Sequence, residues 1–325
     1  MVLFAVAFTA AAHAECVYSP DLAAYQTPPP EGAELIGDEA AVGTTRSDSR
    51  GRVVVPVSVN GAGPFRFIVD TGANRSAVSE GLAQRLGLQA IGSGEVHTVH
   101  GVSVAPLMDV DSLRYRDVSF ESQAMPMLEG PVLAGEQGLL GVDGMRGRRL
   151  RMDFERNCIE IAPARTAQRL RGWTRIRGVM RFGHLVVIRG TVNRVRVNLL
   201  LDTGSDSSLA NTALRDALNA RVTRRQSVTD FAVAHTASEP IVLDRAMFLP
   251  RLTLAGVDVR NVRAYVGDFH IFRLWGLTDE PTLLVGMDVL SQAGGLAIDY
   301  ERGNVYVRLR EGPRFMNEGR SGLLR

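Results

Sequence analysis

Two aspartates in this chain stand in nearly the same surroundings. Asp70 ends the apolar run Phe67-Ile68-Val69 and is followed by Thr71-Gly72-Ala73; Asp202 ends Leu199-Leu200-Leu201 and is followed by Thr203-Gly204-Ser205. Such a run, closed by an acid and a Gly-containing turn, reads as a buried strand that delivers a carboxylate to its end. One such Asp alone reads as a turn or N-cap acid. Two with matched contexts point to a pair. Related halves pack about a pseudo-twofold axis and bring equivalent residues together. Two carboxyl groups at hydrogen-bond distance then share one proton, one pKa low and the other raised. A pair of this kind holds a water: the ionised acid takes its proton as it attacks a carbonyl, and the protonated acid donates to the carbonyl oxygen. That chemistry hydrolyses a peptide with no metal, cofactor or covalent intermediate. The Thr71 and Thr203 hydroxyls are suited to bonding across the axis. Gly72 and Gly204 suit a tight turn that leaves an N–H for the carboxylate. Ser205 has a hydroxyl to offer its acid and Ala73 has none, which predicts that Asp202 ionises more easily.

The elements that must position these acids recur in order. Val53-Val54-Val55-Pro56-Val57-Ser58-Val59 is a β-branched run, and Asn60-Gly61-Ala62-Gly63-Pro64 turns it into the strand ending at Asp70. Ser79 is placed to cap a short helix presenting Leu82 and Leu86, closed by Gly87. The second half repeats this at a constant offset: a strand over 184–192, Asn193 in the turn, a strand over 195–201, then Asn211, Leu214 and Leu218 in the places of Ser79, Leu82 and Leu86. Leu139-Leu140-Gly141 is answered by Leu284-Val285-Gly286, and Asp153-Phe154-Glu155-Arg156 by Asp299-Tyr300-Glu301-Arg302. Ordered recurrence of three motifs makes an internal duplication.

Composition narrows the rest. The chain has 325 residues, 45% of them hydrophobic and 22% charged, with a net charge of +2. These values suit a two-domain globular protein and give no electrostatic case for nucleic acid. Every basic residue is Arg, which excludes Schiff-base and P-loop lysine chemistry. Residues 1–14 read as a signal peptide with Ala12-His13-Ala14 as the cleavage site, too short to span a bilayer. No Arg precedes its apolar run, which a start upstream of Met1 would explain. The expectation is a periplasmic or secreted protein in which Cys16 and Cys158, the two cysteines, are free to pair. Residues 15–50, with Pro28-Pro29-Pro30, form an extended lead-in. One half covers 51–162, a linker 163–177, the second half 178–310 and a tail 311–325.

Other candidates are weaker. His97 and His100, three apart on a strand, point to opposite faces and make a poor metal pair. Asp143 and Asp288 recur near helix starts, where capping is the simple role. The Arg-rich stretches 146–151 and 165–181 read as solvated surface.

The motifs Ile68-Val69-Asp70-Thr71-Gly72-Ala73 and Leu200-Leu201-Asp202-Thr203-Gly204-Ser205, with the two apolar-apolar-Gly stretches, resemble the retropepsin-like (retroviral-type) aspartic proteases of bacteria, over about residues 50 to 310. The resemblance implies a β-dominated acid protease fold of two closed, barrel-like halves with short helices. It also implies a cleft between them and a polypeptide substrate. Asp70 and Asp202 become the catalytic dyad of an aspartic endopeptidase, with Thr71, Gly72, Thr203, Gly204 and Ser205 in support. By position, residues 92–108 become a flap whose His100 and Gly101 meet substrate. The corresponding stretch 228–240 has no Gly, so one working flap is expected, in a monomer. Two alternatives remain: a silent relative that binds peptides without cutting, and halves that pair between chains.

Overall fold

The computed structural model describes residues 41–120, 124–167, 169–219, 232–234, 241–243 and 245–310. The proposed leader, Cys16, the tail and most of the second half's flap region lie outside the described residues. Among the described residues no helix is long and apolar enough to cross a membrane.

The protein is β-dominated, as expected. In the first half a ten-stranded sheet has the strands Val53–Val59 and Ala62–Val69 side by side in its interior. The second half closes on itself. Six strands, Leu185–Val192, Val195–Leu201, Thr282–Val285, Ser208–Ala210, Val257–Val266 and Ala246–Leu254, pair in a ring. The last and first meet through Thr191↔Thr253 and Val192↔Leu252. Closure leaves no free edge in that ring.

The halves are joined by their closing strands. Arg148–Asp153 pairs antiparallel with Gly295–Asp299, Leu150 opposite Ile298 and Met152 opposite Leu296. These four side chains are all but fully buried in one core cluster drawn from both halves. Burying side chains of this size stabilises by about 1.5–3 kcal/mol each, so the junction is a core and not a flexible seam.

The helical signals are where the local chemistry puts them. Helix Glu80–Leu86 begins with the Leu82 N–H donating to Ser79 Oγ at 3.1 Å and ends on Gly87 in the left-handed region (φ 61). Helix Thr212–Asn219 begins with the Leu214 N–H on Asn211 Oδ1 at 2.9 Å.

Three expectations are revised. The last part of the lead-in is in sheet: strand Ala41–Thr44 pairs with Cys158–Ile161, satisfying an edge whose backbone groups would otherwise lack partners. Thr174–Arg177, assigned to the linker, pairs with Asn304–Val307 and buries Ile176. The stretch 146–151 is not all solvated surface, because Arg149 is buried and Arg151 pairs with Glu160 at 2.7 Å. Cys158 is buried and not a free thiol; its expected partner Cys16 lies outside the described residues.

Candidate active site

Asp70 and Asp202 follow the strands Ala62–Val69 and Val195–Leu201. Phe67 and Ile68 are both buried, in different core clusters on the two faces of their strand. A strand held on both faces gives its terminal residue little freedom. Each acid is also fixed by its own backbone. The Asp70 N–H donates to the Leu140 carbonyl at 2.9 Å and the Asp202 N–H to that of Val285 at 3.0 Å. Both acceptors lie on parallel neighbours, Gly138–Leu140 and Thr282–Val285. This is the work of the apolar-apolar-Gly motifs.

The two Asp-Thr-Gly loops interlock. The Thr71 N–H donates to Thr203 Oγ1, and the Thr203 N–H to Thr71 Oγ1, both at 3.1 Å. Each hydroxyl then donates onward to the opposite strand, Thr71 to the Leu201 carbonyl at 2.7 Å and Thr203 to that of Val69 at 2.6 Å. All four groups are buried and satisfied.

The glycines have a stricter reason than turn geometry. Neither lies in the left-handed region. A Cβ on Gly72 would sit 2.6 Å from the carboxyl carbon of Asp202, and one on Gly204 would sit 2.2 Å from that of Asp70. Each glycine is demanded by the other half's acid. Its N–H serves its own acid, Gly72 bonding Asp70 Oδ1 and Gly204 bonding Asp202 Oδ1, both at 2.9 Å.

The two carboxyl groups meet at hydrogen-bond range, Asp202 buried and Asp70 partly so. Burial pushes Asp70 above its ordinary value, opposed by the Gly72 N–H, the bond to Asp202 and the positive charge of Arg52. Burial pushes Asp202 well above its own, and the charge of Asp70 adds to the effect. Asp202 is the more strongly raised of the two. This reverses the order read from Ser205. The Ser205 hydroxyl donates to the Ser207 carbonyl at 2.7 Å, and only its backbone N–H reaches Asp202, at 3.1 Å.

A second matched pair supports the loops. Ser76 donates through its hydroxyl to Asp143 Oδ1 at 2.7 Å and accepts the Gly141 N–H at 3.1 Å. Ser208 donates to Asp288 Oδ1 at 2.8 Å and accepts the Gly286 N–H at 3.1 Å. Asp143 and Asp288 therefore tie each acid's loop to its apolar-apolar-Gly segment, where helix capping was expected. Ser76 and Ser208 escaped the sequence reading, although they obey the offset that relates Asp70 to Asp202.

The flap region is a hairpin of Ala90–His97 and Val102–Asp109. His100 and Gly101 sit at its tip, their N–H groups donating to Thr98 Oγ1 at 3.3 and 3.2 Å. The tip reaches the other half. Val99 accepts the N–H of Ile271, on helix His270–Leu274, at 3.4 Å. His97 stacks on His270, with Nδ1 and Nε2 3.0 Å apart. Among the described residues no cluster of three or more His, Cys, Asp or Glu could hold a metal ion. The partner of His97 lies 173 residues away and left no local signal.

A model of the family described as aspartyl protease matches residues 55–143 and 188–289, together more than half of the chain. Each match holds one Asp-Thr-Gly and the apolar pair with Gly that clamps it. No curated protein matches the chain.

Proposed function

The chain belongs to the aspartyl protease family, and from that premise we propose that it is an endopeptidase acting through a water held between Asp70 and Asp202. The observation that carries this reading is the meeting of two carboxyl groups from two copies of one motif in a single chain. The ionised member takes a proton from the water as its oxygen attacks the scissile carbonyl carbon. The protonated member donates to the carbonyl oxygen, giving a tetrahedral diol. Return of a proton to the amide nitrogen lets the C–N bond break, and the dyad recovers its single shared proton. The Thr71–Thr203 lock and the Gly72 and Gly204 N–H groups hold the carboxyls still while charge moves.

A flap that spans from the first half to the second supports an extended polypeptide, enclosed from above, as substrate. A dyad formed within one chain supports a monomeric catalytic unit over halves that pair between chains. The leader-like residues 1–14 support action outside the cytoplasm.

The test is cleavage of a denatured protein mixture from pH 3 to 7. Wild type cuts at mildly acidic pH, and Asp70→Asn and Asp202→Asn each lose cleavage. Wild type that cuts nothing across this range, yet retains peptides on a column, would instead make the protein a peptide-binding relative. Activity recovered on mixing the two single variants would place the dyad between chains.

A further inference from the structure

Asp70 and Asp202 occupy equivalent places, but one charged side chain distinguishes their surroundings. Arg52, buried at 5% exposure, pairs through Nε with Asp48 Oδ2 at 2.7 Å. Asp48 is itself buried, and its Oδ1 accepts the N–H groups of Arg50 and Arg52 at 2.9 Å each. Arg52 Nη1 donates to the carbonyls of Val132, at 3.1 Å, and Gly204, at 3.3 Å. Gly204 is the residue on which a Cβ would meet the Asp70 carboxyl, and its N–H bonds Asp202. The guanidinium thus reaches across the pseudo-twofold axis to the opposite loop, and its positive charge acts on Asp70. Its Nη2 is buried with no partner among the described residues. Little water reaches this group to screen it, and charges so placed act strongly on their neighbours.

The other half lacks this arrangement. At the offset relating the two acids, Met180 stands for Asp48 and half-buried His184 for Arg52. Among the described residues the turn there contacts the first loop through backbone and amide groups. Asn74 Nδ2 donates to the Phe182 carbonyl at 2.7 Å, and the His184 N–H donates to Asn74 Oδ1 at 3.4 Å. Phe182 packs on Trp275. Of the other titratable groups near the pair, buried Tyr300 stays neutral, its hydroxyl pushed up by burial and by Asp70. Among the described residues one fixed cation, partly offset by Asp48, therefore acts on one side of a near-symmetric pair.

We propose that Arg52 is a positioning residue that breaks the symmetry of the dyad, keeping Asp70 ionised and leaving the shared proton on Asp202. The proposal rests on reading the two acids as a catalytic pair. It assigns Asp70 as the base that takes the water's proton and Asp202 as the acid that faces the substrate carbonyl oxygen, which sets the direction in which a peptide lies across the cleft.

The experiment is carboxyl-carbon NMR of the full chain with 13Cγ-labelled aspartate, titrated from pH 2 to 8, with Asp70→Asn and Asp202→Asn to assign the signals. In wild type and Arg52→Lys, Asp70 releases its proton first. In Asp48→Asn/Arg52→Met, which removes both buried charges together, the gap between the two titrations shrinks by about one pH unit or more, or inverts. Met180→Asp/His184→Arg, which leaves the native pair intact, narrows the gap from the other side and serves if the first double variant does not fold. An order and gap unchanged in these variants would overturn the proposal. The measurement needs no substrate. A gap that depends on Arg52 in a chain that cuts nothing upholds the proposal and rejects the peptidase reading; cleavage with a gap indifferent to Arg52 does the reverse.

Discussion

Thr71 and Thr203 each donate a backbone N–H to the other's hydroxyl at 3.1 Å, the same bond made twice across the axis between the halves. Because each hydroxyl also donates onward to a strand carbonyl, removing one strands a buried N–H and a buried C=O together. Thr71→Val and Thr203→Val should each cost about 1–3 kcal/mol, measured by urea unfolding, while Thr→Ser recovers most of it. The double Val variant should lose clearly less than the sum, since the residues share partners. Strict additivity would mean that the lock is not one unit.

Gly204→Ala and Gly72→Ala place a methyl against the opposite carboxyl, 2.2 Å from Asp70 Cγ and 2.6 Å from Asp202 Cγ. The acids must separate. Displacement of reacting groups by about 1 Å costs about 10²-fold in rate, and kcat/KM should fall by at least that much, more at Gly204. A variant within threefold of wild type would show that the dyad tolerates separation.

Removing one acid should disable the enzyme and stabilise the protein. Loss of general acid–base action costs about 10²–10⁴-fold. Both carboxyls are raised in the folded chain, so folding holds protons that the unfolded chain releases above about pH 3.9. Wild-type stability is thereby undiminished below that value and falls as pH rises toward the folded pKa. Asp202→Asn, which relieves the more strongly raised acid, should melt higher than wild type at pH 7 and alike at pH 3. A lower Tm at pH 7 would contradict the repulsion. Ser205→Ala should leave the acid limb of activity in place, because the hydroxyl serves Ser207 and not the carboxylate.

The flap contact should weaken in acid. His97 and His270 can hold their 3.0 Å approach only while at least one ring is neutral. Burial lowers the His270 pKa, and His97, Arg273 and His100 lower it further. Glu95 lies 3.6 Å from His97 Nε2, and Asp268 occupies Arg273 at 2.8 Å. As pH falls below the ordinary histidine range, about 6.5, and through the depressed value of His270, that ring gains its proton and the contact is lost. Hydrogen exchange at the Ile271 N–H, which bonds Val99, should speed up over that range once corrected for intrinsic rates. His270→Phe should remove the pH dependence, and protection that does not change with pH in wild type would rule the histidines out.

Much of this was legible in the chain. The acids, the helix caps at Ser79 and Asn211 and the flap hairpin are local patterns, in which neighbours in sequence are neighbours in space. Ser76 with Asp143, Arg52 with Gly204 and His97 with His270 were not, being 67, 152 and 173 residues apart. The Ser205 argument failed for a related reason. It assumed that a nearby hydroxyl serves the nearby acid, whereas the hydroxyl found a carbonyl two residues on.

That there are two acids, that each ends a buried strand, and that the halves are copies can be read from the chain alone, because apolar periodicity and turn chemistry act over a few residues. That the acids are unequal, and in which direction, comes from how the halves pack. The field at a carboxyl sums over every charge and dipole near it in space, and the residue that distinguishes Asp70 from Asp202 reaches the pair across the axis, by way of Gly204.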